Sequence, residues 1–137
     1  MRQEKELPKI DLSFTKEEKN DKKIIKLKDK ELFDSVAKEW AEAINRTKKT
    51  QARNFYDKIL DLEKKIKEDD FESVYPFIKM LNSKVAYGVS RRVVSDKFQE
   101  MMEQSLKQID NTKEGEQKFK HFKLFFEAVL GFFKGSN

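Results

Sequence analysis

Lys84, Tyr87 and Arg91 stand at i, i+3 and i+7, a spacing that on a continuous helix gathers two cations and a ring within about 60°. Such a trio suits a polyanion, because the cations hold phosphates while the ring stacks on a base or hydrogen-bonds beside it. Val85, Ala86, Val89 and Val93 fall on the opposite side, so one exposed face is expected. Tyr87 alone would also suit the core. Arg92 adds a further cation. Lys49 and Arg53, with Lys48 before them, open another helical stretch, where N-terminal amides also attract phosphate.

The surrounding charge is clustered. Between Ala43 and Tyr56 there are four bases (Arg46, Lys48, Lys49, Arg53) and no acid; between Ser73 and Ser95 there are four more (Lys79, Lys84, Arg91, Arg92) and again no acid. The two windows carry +8 against a chain total of +5, so the other residues sum to −3. Closely spaced cations displace counterions from a phosphate backbone, whereas alternating Lys and Glu neutralise each other. The competing reading is a merely solvated basic surface.

Catalysis needs a nucleophile or metal held by a base or ligand set. The one histidine, His121, stands beside Lys120 and Lys123, and reads as a surface residue or an RNA contact. No cysteine is present, which removes disulfides, thiolate ligands and a thiol nucleophile. Acid pairs such as Asp69 and Asp70, Glu17 and Glu18, or Asp57 and Asp61 lie amid lysines, as on solvated faces. Gly88, Gly115, Gly131 and Gly135 form no phosphate-binding loop. Neither an enzyme nor a cofactor is expected. With no apolar leader and no run of about 18 apolar residues, a cytoplasmic protein without membrane contact is expected.

The elements that must position these residues read as helical. Pro (2) and Gly (4) are scarce, while 12 Phe supply core material in a chain of 137 residues, 40% of them charged. Apolar residues recur at helical steps over about 30–45, with Asp29 as cap, and from Thr50 through Ile66. A third stripe runs from Phe71 to Leu81, where Pro76 is tolerable if the helix starts near Ser73. Residues 83–111 favour one long helix that buries different faces along its length, over a kink at Gly88. After a turn at 111–115, Phe119 to Phe133 forms a last helix, more apolar than one core covers, which predicts self-association or docking. The fold class is therefore all-α: a single compact bundle of about five helices over 29–134, with a charged N-terminal arm (1–28) and a short tail (135–137). In the arm, Ile24, Ile25 and Leu27 either form a short strand or dock on the body, but six residues without a partner strand are unstable alone.

The segment T50-Q-A-R-N-F-Y-D-K-I-L-D-L-E, then Phe71 to Leu81, K84-V-A-Y-G-V-S-R91 and the closing F119-K-H-F-K-L-F-F-E-A-V-L-G-F-F together resemble the small subunit of type III-A CRISPR (Csm) effector complexes, over about 30–134. The resemblance implies a helical bundle without an active site, stacked in a filament beside backbone subunits and lining the groove that holds guide RNA and target RNA. It also implies contact with the large subunit and with neighbouring copies, and no small-molecule substrate. Arg53 matches the arginine of the family's Thr-Gln-x-Arg segment, and Lys84, Tyr87 and Arg91 its Lys-x-x-Tyr-x-x-x-Arg segment. Ser83 stands where the family often has proline, and the long arm has no family counterpart. The expected RNA-contacting set is Lys48, Lys49, Arg53, Lys84, Tyr87, Arg91 and Arg92. The alternative is a helical module that bridges subunits without touching RNA.

Overall fold

The computed structural model describes residues 6–137, so the first five residues of the arm lie outside the described part. Three helices start where a side chain takes a free amide of the first turn. Asp70 accepts from the Ser73 amide at 2.7 Å, Ser95 from Phe98 at 3.1 Å and Thr112 from Gly115 at 3.0 Å. These caps open α3 (Phe71–Lys79), α5 (Asp96–Leu106) and α6 (Lys113–Phe132). Before α3 come a π-helical turn at Leu32–Val36 running into α1 (Ala37–Ala43), and then α2 (Lys49–Glu68); α4 spans Leu81–Ser90.

The α6 helix is the central element and packs on α1, α2 and the π-helical turn. Phe119, Phe122, Phe125 and Phe126 are almost fully buried, as are Trp40 and Phe98. Phe126 meets Phe98 edge-on at 5.9 Å and Phe122 at 6.2 Å, the arrangement that ring quadrupoles prefer. The core thus covers most of the apolar surface expected to be in excess on this helix. What remains open is Leu124 and Phe132, each 40% exposed.

Three sequence expectations are corrected. The fold is mostly helical but not all-α: Phe14–Lys19 (β1) pairs antiparallel with Lys22–Leu27 (β2). The partner strand missing for KIIKLK is supplied through Asn20 and Asp21, whose φ values of 54° and 61° build the tight turn that suits strand twist. Residues 83–111 are not one helix. The chain leaves α4 at Ser90, reverses through Arg92 at φ 61° and restarts at Ser95, so Val85 and Phe98 can face one core. Gly88 marks a close approach instead of a kink, since a Cβ there would lie 2.6 Å from Val94 Cγ2. Pro76 lies in the interior of α3, which starts at Phe71 and not near Ser73. The Glu72 carbonyl it leaves without an amide belongs to an exposed residue, where water can serve it.

The described part of the arm is anchored by side chains. Ile10 and Leu12 are buried, and the Trp40 indole N–H donates to the Pro8 carbonyl at 2.9 Å. Gln108 donates to the Ile10 carbonyl at 2.6 Å and accepts from the Leu12 amide at 2.9 Å, so one amide group satisfies both backbone polarities. At the other end Ser136 accepts from the Lys49 amide at 2.9 Å and caps α2 in place of a side chain.

Candidate nucleic-acid interface

The Lys84, Tyr87 and Arg91 face is held outward because Leu81, Val85 and Gly88 on the other side of α4 are buried. Tyr87 is 63% exposed, so it does not belong to the core. The Arg91 guanidinium lies over its ring, 5.4 Å from the centroid, which presents ring and cation as one unit.

A groove of about 370 Å³ separates this face from α2 and is lined by Gln51, Asn54, Phe55, Lys58, Ser83, Lys84 and Tyr87. A second depression of about 210 Å³ shares Lys58 and Lys84 and extends past Asp61, Leu62, Lys65, Phe77 and Met80. Lys58 and Lys84 border both depressions, and the neighbouring Lys84 amine lowers the Lys58 pKa from the usual lysine value; partial burial adds to the effect and Asp61 opposes it. Two amines crowded in this way are relieved by an anion placed between them. Sequence spacing did not reveal Lys58: it lies outside both acid-free windows, between Asp57 and Asp61, and meets Lys84 only through the fold.

The two basic windows touch through backbone. The Lys48 amide donates to the Val93 carbonyl at 3.1 Å, and the Thr47 and Ser95 hydroxyls pair at 2.9 Å. This brings the start of α2, with exposed Lys48 and Lys49, beside the Arg91–Arg92 turn, where Arg92 is exposed too. The Lys48 and Lys49 amides offered to phosphate are already taken by Val93 and Ser136. Arg53 stands apart from the groove. It is about 140° around α2 from Lys58 and acts on Tyr56, whose hydroxyl is raised above its usual pKa first by burial and then by Glu127 and Glu63. Lys79 is structural: its amine donates to the Leu106 carbonyl at the end of α5, and burial lowers its pKa.

His121 is not on the surface. It is buried, with Nδ1 2.9 Å from the Leu12 carbonyl and Nε2 2.9 Å from the Gln117 amide nitrogen. A carbonyl only accepts, so Nδ1 carries the proton and the ring pins the arm to α6. The helical pattern hid this role, because the arm that covers His121 is about a hundred residues away in sequence. Among the described residues no His, Cys, Asp or Glu cluster could hold a metal ion, and no helix is long and apolar enough to cross a membrane.

A protein-family model described as Csm2 Type III-A matches residues 26–137, which covers every residue of the groove. No curated protein and no solved structure matches.

Proposed function

We propose a function from the premise that this chain belongs to the Csm2 Type III-A family and is therefore a small subunit of a type III-A CRISPR complex. In our reading it is a non-catalytic cytoplasmic subunit that binds guide RNA and target RNA through phosphates and sugars, without reading bases. Lys58, Lys84 and Arg91 hold the backbone, Tyr87 supports it, and Lys48, Lys49 and Arg92 extend the track around the start of α2. Arg53 serves a separate contact on the far side of α2. The observation that carries this is the meeting of Lys58 with Lys84 beside an exposed Tyr87–Arg91 pair. Such contacts position RNA and leave sequence to base pairing between guide and target.

The test is RNA binding by the assembled complex carrying Lys84→Glu and Arg91→Glu. Affinity is expected to fall for unrelated RNA sequences alike, with a shallower salt dependence. Unchanged affinity and slope would reject the groove as the RNA surface. A second role, contact with the backbone and large subunits or with neighbouring copies in a filament, is favoured by the exposed Leu124 and Phe132 on α6.

A further inference from the structure

The groove has an end that phosphates do not explain. Met80 ends α3 and caps α4, its carbonyl accepting from the Ser83 and Lys84 amides at 3.1 and 3.3 Å. Across this junction Phe77, Met80 and Lys84 border one depression, and Lys84 with Tyr87 borders the groove beside it. Phe77 is 54% and Met80 46% exposed, beside the three lysines 58, 65 and 84 and one acid, Asp61. An exposed phenylalanine gains nothing from a phosphate, and a paired duplex keeps its base faces stacked inside. An unpaired nucleotide combines a flat apolar face with an attached anion, and so matches both parts of this end. Phe77 and Tyr87 border different depressions that share Lys58 and Lys84, so they serve different bases with that pair between them.

We infer that this groove holds unpaired RNA nucleotides, with Phe77 as one stacking platform, Tyr87 as a second and the Lys58–Lys84 pair on the intervening phosphate. The inference rests on the RNA reading above and narrows it to single-stranded RNA at the Phe77 end.

The test compares binding of the full chain to oligouridine of about 12 nucleotides and to an RNA duplex of about the same length, a span within the reach of one small fold. Phe77→Ala is expected to weaken oligouridine binding about tenfold, to leave duplex binding unchanged and to keep the salt slope, because no cation is lost. Phe77→Tyr should bind as the parent does. Phe77→Leu should behave as Phe77→Ala, since it keeps apolar bulk and loses the π face. Parent-like binding by Phe77→Leu would overturn stacking and point to apolar docking by a protein. If Lys84→Glu weakens both RNAs while Phe77→Ala weakens neither, the RNA reading stands and this inference falls. If the parent binds neither RNA at low salt, this inference falls, and the RNA reading is decided by the assembled complex. Phe77 is exposed, so unchanged thermal unfolding of each variant separates binding from folding.

Discussion

The arm over residues 6–13 and the α4 face over Lys84 to Arg91 both look like charged, weakly apolar stretches, yet the fold treats them oppositely. The arm buries Ile10 and Leu12 to 3% and 0% exposure, while α4 leaves an aromatic ring 63% exposed. What separates them is partners. Trp40, Gln104, Gln108 and His121 all hold arm backbone, the Gln104 carboxamide accepting from the Ile10 amide at 3.2 Å. Satisfied backbone lets an irregular segment enter a core without the cost of orphaned amides and carbonyls. On α4 the backbone is satisfied within the helix, so its outward side chains are free for a ligand.

The sharpest way to break this contrast is to empty the arm's contact. Leu12→Ala should cost about 2–5 kcal/mol of stability in denaturant unfolding, with no change in the salt slope of RNA binding. A loss under about 1 kcal/mol would mean the arm merely lies on the body. A smaller effect should come from the turn that sets the groove's end. Gly88→Ala pushes a methyl against Val94 and should cost about 1–3 kcal/mol; combined with Val94→Ala, the pair should cost less than the sum of the two single changes, because they share one space. The smallest stability effect belongs to the groove. Lys58→Ala should shift stability by no more than about 0.5 kcal/mol, with a gain expected as it relieves Lys84, while the salt slope on single-stranded RNA falls by about 0.7. Lost stability with unchanged RNA binding would reverse the assignment of structural and binding surfaces.

Where the sequence was legible, local rules and tertiary needs agreed. The Phe stripe of α6, the stripe of α2 and the exposed trio on α4 follow from helical periodicity, because each face has one environment along its length. The break at 91–95 was not legible. Val93 and Val94 continue an apolar pattern, and nothing local shows that Arg92 takes a left-handed backbone and that Gly88 admits Val94. The arm was illegible for a related reason: glutamines and a histidine on distant helices bury it, and periodicity records only what an element does with itself.

By itself, the amino-acid sequence determined the helical class of the body, its Phe-rich core, the resemblance to a CRISPR small subunit and the residues of the basic windows. Those properties depend on residue type and short-range spacing, which the covalent chain already fixes. Only the tertiary structure decided that Lys58 joins Lys84, that Arg53 stands apart, that His121 is buried beneath the arm and that Phe77 opens onto a depression sharing Lys58 and Lys84 with the groove of Tyr87. Those are distances between elements, set by how helices and arm share one core.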